Sequence, residues 1–193
     1  MPSLIFHFAT MNAGKSAHLL ISAHNYKERG MGTLILKPSV DGRDSSTEVV
    51  SRLGLRQEAN IITPDMDIFE FFKWAQTQRD IHCVFVDEAQ FLTRHHVIEL
   101  CKIVDQYNVP VMAYGLRTDF QGNLFEGSET LLAVADKLVE LKGVCHCGRK
   151  ATMVARIDEE GNAVLEGDKI ELGGEDRYVS LCRKHWFELV TGK

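Results

Sequence analysis

Apolar runs bounded by turn residues alternate with segments of helical periodicity along the first two thirds of the chain. The apolar runs predict buried strands, because a strand covered on both faces reads as a nearly continuous hydrophobic stretch. The predicted strands are Leu4–Phe8, Thr33–Lys37, Cys83–Val86, Val109–Tyr114 and Lys137–Leu141. The predicted helices are Lys15–Glu28, Ile68–Gln78 and Val97–Tyr107. Such alternation is typical of an α/β fold, in which helices flank a parallel sheet.

Two stretches depart from this alternation. Asp41–Glu58 is rich in Gly, Ser, Arg, Asp and Glu and has no periodicity, which predicts a mobile loop. After the fifth predicted strand the pattern changes to short strand material at Thr152–Ile157, a polar turn and a last helix at Lys184–Val190. We therefore expect two units, a larger one over residues 1–142 and a smaller one over residues 143–193.

The composition narrows the class of protein. The 193 residues are 45% hydrophobic and 25% charged, with a formal net charge of -5 and a pI near 5.9. This balance suits a globular protein with its own core and excludes disorder as the main state. It also argues against tight nucleic-acid binding, which needs a basic surface. Because no apolar run approaches the roughly 20 residues of a membrane span, we expect a cytoplasmic protein that does not enter a membrane.

The first predicted strand runs into the sequence Ala-Thr-Met-Asn-Ala-Gly-Lys-Ser. A strand followed by a small-residue turn, Gly-Lys-Ser and a helix is typical of a P-loop, which binds the phosphates of a nucleoside triphosphate. We expect the Lys15 ammonium to bridge phosphate oxygens and the Ser16 hydroxyl to bind magnesium. The candidate phosphate-binding residues are Ala9, Thr10, Met11, Asn12, Ala13, Gly14, Lys15 and Ser16. Ala9 replaces the first glycine of the common pattern, so the loop begins without a positive φ at that position.

Two carboxylates, Asp87 and Glu88, directly follow the predicted strand Cys83–Val86. Open α/β sheets bind ligands at the carboxyl ends of their strands, where the phosphate loop also lies. We expect Asp87 to orient magnesium and Glu88 to reach the group that attacks the γ-phosphate. An Asp-Glu pair can also cap a following helix, but its place after a phosphate loop favours catalysis. If Glu88 activates water the protein is an ATPase or GTPase, and if it accepts a proton from a bound hydroxyl the protein is a kinase.

Three cysteines and one histidine form two close pairs, Cys145-x-Cys147 and Cys182-x-x-His185. Three sulfurs and one imidazole suit a tetrahedral zinc ion, and four protein ligands leave no position for water, which predicts a structural site. The alternative is a small core of buried thiols. It fits poorly because basic residues flank both pairs and favour the thiolate form.

Four motifs resemble the thymidine kinases that carry a zinc-bearing lasso domain, which are found in many bacteria and in animal cytosol. The motifs are the phosphate loop Ala9–Ser16, Val86–Phe91, Tyr114–Phe120, and Leu172–Gly174 with Tyr178. They occur in the family's order, and the likeness spans essentially the whole chain. The resemblance implies transfer of the ATP γ-phosphate to the 5′-hydroxyl of thymidine, with deoxyuridine as a second substrate.

The resemblance also implies roles for individual residues. It makes Glu88 the proton acceptor, Asp87 and Ser16 the residues that serve magnesium, and Lys15 a phosphate ligand. Arg52 matches an arginine that helps hold the phosphates or the transferring group. The alternative for Arg52 is a solvated surface arginine. The residues that the resemblance adds to the ATP-binding set are Ala89 and Gln90.

A nucleoside pocket is implied as well, formed by Met11, Phe91, Leu116, Phe120, Phe125, Gly174 and Tyr178. A flat pyrimidine needs aromatic faces and a soft wall for its methyl group. Considered without the family, the apolar members are more often core residues than ligand contacts. Phe120 and Phe125 resist that interpretation because they lie in a loop with Gly and Asn. The lasso between the two zinc pairs is implied to fold over the nucleoside and to read the base largely through backbone groups.

The resemblance further implies a homotetramer, feedback inhibition by dTTP, and Mg2+ bound with ATP. The residues alone leave two other functions open. One is a hydrolytic P-loop ATPase that drives a partner, and the other is a zinc-stabilised nucleotide-binding regulator without turnover. A low ATPase activity that rises only with thymidine would distinguish the kinase from both.

Overall fold

A computed structural model describes residues 1–39, 47–167 and 177–192. The strands in these ranges are β1 Leu4–Ala9, β2 Thr33–Pro38, β3 Glu48–Val50, β4 Arg56–Glu58, β5 Asn60–Ile62, β6 Cys83–Val86, β7 Val111–Leu116, β8 Lys137–Glu140, β9 Gly143–Val144, β10 Lys150–Ala151, β11 Met153–Arg156 and β12 Tyr178–Leu181. The helices are α1 Lys15–Glu28, α2 Ile68–Gln78, α3 Arg94–Tyr107, α4 Glu126–Val134 and α5 Arg183–Thr191. No helix in the described ranges combines the length and apolarity of a membrane span.

Six parallel strands form one sheet in the order β5-β2-β6-β7-β1-β8. Successive side chains of a strand point to opposite faces, so each strand serves two cores. Leu34 and Leu36 of β2 pack into the core under α2, α3 and α4, whereas Ile35 packs into the core under α1. Helices therefore cover both faces of a parallel sheet, which confirms the predicted α/β class.

The predicted helices α1 and α2 have the expected bounds. Helix α3 begins at Arg94, three residues earlier than predicted, because Thr93 and His96 form a capping box at its start. Strand β7 runs on to Leu116, two residues past the predicted end. These differences lie at element ends, where caps and strand pairing decide the boundary.

In the larger unit, the sequence analysis missed strands β3, β4 and β5 and helix α4. Part of the predicted loop Asp41–Glu58 lies outside the described residues, and its described part contains the antiparallel β3–β4 hairpin. The expectation of a loop is therefore wrong over β3 and β4, since strands of three residues are too short to show periodicity, and the expected mobility stays a prediction. Strand β5 was missed for the same reason. Helix α4 was missed because Gly127 and Ser128, both poor helix formers, lie in its first turn.

The chain after residue 142 contains two antiparallel strand pairs, β9 with β10 and β11 with β12, followed by α5. Their apolar side chains form a separate small core. Its members are Cys145, Ala151, Ala155, Leu181, Cys182 and Trp186. Two of the predicted zinc ligands are therefore part of the core that holds this unit together.

A buried histidine lies in β1, on the face that α1 covers. The His7 ring stacks on Tyr114 with the ring centroids 4.5 Å apart and 7° between the planes. His18 of α1 hydrogen-bonds the Tyr114 hydroxyl at 3.1 Å. Neither ring nitrogen of His7 has a hydrogen-bond partner among the described residues. Burial, with a smaller contribution from His18, lowers the pKa of His7 from 6.5 to about 4.

The substitution His7→Phe keeps a ring against Tyr114 and removes this titration. A histidine whose pKa is lower in the folded than in the unfolded chain destabilises the fold as the pH falls below its unfolded pKa. Between about pH 7.5 and pH 5, this group should cost the wild-type chain about 2 kcal/mol of unfolding free energy. The variant should lack that loss. Urea unfolding of both proteins at the two pH values measures the difference, and an identical pH dependence would contradict a buried neutral His7.

Candidate active site and metal centre

The phosphate loop lies between the end of β1 at Ala9 and the start of α1 at Lys15. Gly14, directly before the helix, has a φ of 77°. This is the left-handed region that glycine adopts without strain. Among the described residues, no side chain caps the first turn of α1. Its backbone N–H groups and the positive end of the helix dipole therefore face the loop, an arrangement that binds anions.

The Lys15 side chain is buried and folds back along the loop, where its Nζ donates a hydrogen bond to the Thr10 carbonyl at 2.8 Å. Burial lowers the pKa of Lys15, while the carboxylates of Glu88 and Asp87 oppose that shift. A buried ammonium is costly unless an anion faces it. The two carboxylates provide part of that charge, and a phosphate group would provide more.

Asp87 follows the buried strand β6 and is itself buried. Its Oδ2 accepts a hydrogen bond from the Ser16 hydroxyl at 3.0 Å. Its Oδ1 has no hydrogen-bond partner among the described residues. Burial, with the neighbouring Glu88 carboxylate, raises the pKa of Asp87 above its usual range. A buried oxygen without a donor, beside a serine hydroxyl, fits a divalent cation, which would favour the charged carboxylate.

Glu88 has a left-handed backbone conformation, with φ 50° and ψ 38°. Residues other than glycine rarely adopt this conformation outside functional sites, where surrounding structure holds the strain. The turn sends the half-buried Glu88 side chain out of the sheet edge instead of back into the core. Its Oε2 accepts a hydrogen bond from Gln90 Nε2 at 2.5 Å.

Lys15, Ser16 and Glu88 line one open cavity of about 550 Å³, whereas the buried Asp87 is not among its lining residues. Its lining comes from the phosphate loop, from Glu88 and from the tip of the β3–β4 hairpin. The cavity residues that the sequence analysis had singled out are Met11, Asn12, Gly14, Lys15, Ser16, Arg52, Glu88 and Leu116. Residues that it had not singled out are Ala17, Val50, Ser51 and Leu53. The structure thus brings Arg52 to the same cavity as Lys15 and Glu88, although Arg52 is distant from both in sequence.

The predicted metal ligands converge at the base of the smaller unit. The donor atoms of Cys145, Cys147, Cys182 and His185 all lie within 4.8 Å of one another. Neighbouring donors are 3.3 Å apart for Cys145 Sγ and His185 Nδ1, and 3.9 Å apart for Cys147 Sγ and Cys182 Sγ. A zinc ion with Zn–S bonds of about 2.3 Å spaces tetrahedral ligands roughly 3.5 to 3.8 Å apart. The donor set and its spacing therefore fit zinc.

Local structure presents these four ligands. The β9–β10 turn carries the first pair, and Gly148 at φ 80° closes it with a hydrogen bond from its N–H to the Cys145 carbonyl at 2.8 Å. The second pair spans the start of α5, with Cys182 at the N-cap. Glu188 Oε2 lies 3.8 Å from His185 Nε2, the ring nitrogen that does not face the sulfurs. A carboxylate there favours Nδ1 as the free ligand atom.

Desolvation opposes ionisation of the buried Cys145 thiol, but hydrogen bonds from the Cys147 backbone and from His185 outweigh it and lower the pKa of Cys145. The thiolate is the form that binds metal. The neighbouring Cys147 shows the opposite shift: its backbone hydrogen bond with Arg149 lowers its pKa, but desolvation and the thiols of Cys145 and Cys182 outweigh that and raise it.

Comparison with known proteins shows which family the chain is similar to. The family model described as thymidine kinase matches residues 2–186. The thymidine kinase of Enterobacteria phage T4 is 71% identical over 190 residues, which cover 98% of each chain. The thymidine kinase of Agrobacterium fabrum is 54% identical over 188 residues, 97% of each chain. That of Ruegeria pomeroyi is 52% identical over 192 residues, 100% of this chain and 96% of its own.

The chain belongs to the thymidine kinase family. This membership confirms the resemblance drawn from the four motifs, and it makes the chain a transferase of the kinase class.

The nucleoside-pocket residues expected from the family separate into three groups. Met11 and Leu116 line the main cavity. Tyr178 lines a neighbouring cavity of about 520 Å³ between the phosphate loop and the smaller unit, and Met11 lines both. Gly174 lies outside the described residues. The three phenylalanines are not among the described residues that line either cavity: Phe91, Phe120 and Phe125.

The loop after β7 is tied to the metal-binding unit. Phe120 is buried beneath the Arg156 guanidinium, which lies 5.4 Å from the ring centroid. Trp186 Nε1 donates hydrogen bonds to the carbonyls of Val154 at 2.9 Å and Phe120 at 3.3 Å. Phe125, also buried, meets Phe91 edge-on at 5.6 Å. Contact of these rings with a nucleoside stays a prediction.

The sequence analysis missed two residues that join the smaller unit to the site, Ser180 and Trp186. Ser180 Oγ donates a hydrogen bond to the Met11 carbonyl at 2.8 Å, which joins β12 to the phosphate loop. Trp186 lies one residue after His185, and its place beside a predicted ligand was the signal that could have singled it out. No sequence signal marked Ser180, because its partner is 169 residues away.

The substitution Cys182→Ser tests the metal centre. It removes one of four ligands, so purified protein should lose its stoichiometric zinc, measured by plasma mass spectrometry. In a Trp74→Phe background Trp186 is the remaining tryptophan, and its emission should shift to the red as the small core opens. Cys101→Ser is the matched control, since Cys101 lies outside the cluster. Full zinc content in the Cys182 variant would refute the assignment.

Proposed function

We propose that this chain phosphorylates thymidine, transferring the γ-phosphoryl group of ATP to the 5′-hydroxyl. One observation carries the proposal: a carboxylate at the end of β6, Glu88, shares a cavity with the phosphate-loop residues Lys15 and Ser16. Membership in the thymidine kinase family supports thymidine as the acceptor. Phosphoryl transfer needs mainly positioning and charge stabilisation, and this cavity brings together groups suited to both.

The donor phosphates are assigned to the phosphate loop, residues 9–16. The uncapped N–H groups at the start of α1 would donate to phosphate oxygens, and Lys15 would neutralise their charge. Asp87 and Ser16 are the residues that would hold Mg2+, which supplies positive charge to the β- and γ-phosphates when bound. Ala89 and Gln90, in the turn after Glu88, belong to the ATP-binding set that the family resemblance implies, and the Gln90 side-chain amide itself hydrogen-bonds Glu88 and the Leu116 N–H.

Glu88 is assigned as the base that accepts the proton of the thymidine 5′-hydroxyl. Its side chain is half-buried and lines the same cavity as the phosphate loop and Leu116. A hydroxyl bound between Glu88 and the phosphate loop would be placed for in-line attack on the γ-phosphate. The strained backbone at Glu88 supports a functional role, because it turns the carboxylate towards the cavity.

The thymine base is assigned to Met11, Leu116 and Tyr178, with Phe91, Phe120, Phe125 and Gly174 as further members. The base would bind where the two cavities meet at Met11. The zinc ion would be structural, since its four protein ligands leave no place for a substrate. It would hold the ends of the lasso that closes over the nucleoside and excludes water.

The family resemblance adds further properties to this proposal. They are use of deoxyuridine, inhibition by dTTP, assembly as a homotetramer, a cytoplasmic location, and a division into an ATP-binding domain over residues 1–142 and a lasso domain over residues 143–193. The separate core around Trp186 supports that boundary. The acidic net charge agrees with substrates that are small molecules and not nucleic acid.

The substitution Glu88→Gln tests the reaction and its base together. In a coupled ADP-release assay with ATP and magnesium, wild-type protein should release ADP with thymidine or deoxyuridine but not with deoxycytidine or without acceptor. The variant should lose about 100- to 10,000-fold in kcat, because an amide cannot accept the proton. Glu129→Gln, an exposed change in α4, is the matched control and should retain full activity. ADP release without any acceptor would instead indicate a hydrolytic ATPase.

The substitution Arg52→Ala tests whether the hairpin contributes charge to the transferring phosphate. Arg52 lines the cavity, whereas Arg56 of the same hairpin is exposed and does not line it. Loss of a cation beside the γ-phosphate should lower kcat/KM for ATP by about 10- to 100-fold. Steady-state kinetics of Arg52→Ala and Arg56→Ala give the comparison. Equal values for the two variants would return Arg52 to the class of solvated surface arginines.

A further inference from the structure

Gln90 is almost fully buried, at 2% exposure, and its side-chain amide bridges two parts of the site. Its Nε2 donates to Glu88 Oε2 at 2.5 Å, and its Oε1 accepts a hydrogen bond from the Leu116 backbone N–H at 3.0 Å. One amide group therefore links the carboxylate assigned as the base to the end of β7, where the cavity wall lies.

The orientation of this amide follows from its partners. The Leu116 N–H is a donor and needs an oxygen, whereas the Glu88 carboxylate only accepts and needs an N–H. Reversing the amide would set two donors against each other and two oxygens against each other. The side chain is thus fixed in one orientation, and its N–H is committed to Glu88.

Two glycines let the turn that carries Gln90 approach its neighbours closely. A Cβ at Gly115 of β7 would lie 2.8 Å from Gln90 Oε1 and 2.9 Å from the Gln90 backbone nitrogen. A Cβ at Gly127 of α4 would lie 2.4 Å from the Ala89 carbonyl oxygen and 3.0 Å from that of Gln90. The turn is held between β7 and α4 at distances that only glycine permits, so Gln90 has little freedom to move.

We propose that Gln90 is a positioning residue for Glu88. Its amide fixes the direction of the Glu88 carboxylate against the strain of the left-handed backbone, and it sets the distance between that carboxylate and the Leu116 wall. The inference rests on the proposed role of Glu88 as the base. It assigns the Gln90 side chain a role through Glu88, because both ends of its amide are hydrogen-bonded within the protein.

A double-mutant cycle tests this role. Gln90→Met keeps the length and approximate volume of the side chain and removes both hydrogen bonds. We expect kcat for thymidine phosphorylation to fall about 10- to 100-fold, with the KM values for ATP and thymidine changed less than about threefold. In a Glu88→Gln background the same substitution should cause no further loss, since a residue that acts only through Glu88 has nothing left to position.

Gln76→Met is the matched control. Gln76 Oε1 accepts a hydrogen bond from the Ile81 N–H at 3.1 Å near the amino end of β6, at the opposite edge of the sheet. It should lower stability without lowering kcat. Losses from Gln90→Met and Glu88→Gln that multiply in the double variant would overturn the positioning role and leave the base in place. Full activity of Glu88→Gln would instead overturn the proposed function on which the inference rests.

Discussion

The arrangement of the site depends on three neighbouring parallel strands, β6, β7 and β1, whose carboxyl ends meet at one edge of the sheet. The phosphate loop follows β1, the turn with Asp87 and Glu88 follows β6, and β7 ends at Leu116, which lines the cavity. Hydrogen-bonded strands lie about 4.8 Å apart, so residues that follow these strands fall within contact distance. The Lys15 ammonium and the carboxylates of Asp87 and Glu88 are close enough to interact because strand order brings the ends of β1 and β6 to the same edge.

Burial gives this edge its chemistry. Lys15 and Asp87 are both removed from water, and each has its charged form disfavoured by that burial. A bound nucleotide with its cation would supply opposite charges to both groups and favour their charged forms. The left-handed backbone at Glu88 is held by close packing, since Gly115 and Gly127 allow β7 and α4 to approach the turn that follows it.

Two hydrogen bonds join the smaller unit, which carries the Cys₃His cluster, to the loops after β1 and β7. Ser180, two residues before the ligand Cys182, bonds the Met11 carbonyl of the phosphate loop. Trp186, one residue after the ligand His185, bonds the loop that carries Phe120. A metal held by Cys182 and His185 would therefore also order the two segments that make these contacts. A centre with no chemistry of its own would bear on substrate binding in this way.

The sequence alone determined the α/β class, most helix and strand positions, the phosphate loop, the carboxylate pair and the Cys₃His set. These are local: a periodicity, a turn chemistry or a spacing within a few residues specifies each one. Tertiary structure decided that the hairpin brings Arg52 to the cavity, that Phe120 lies buried beneath Arg156, and that Gln90 joins Glu88 to Leu116. The last contact spans 26 residues and the Ser180–Met11 contact spans 169. Such contacts depend on strand order and register, which no local pattern in one sequence encodes.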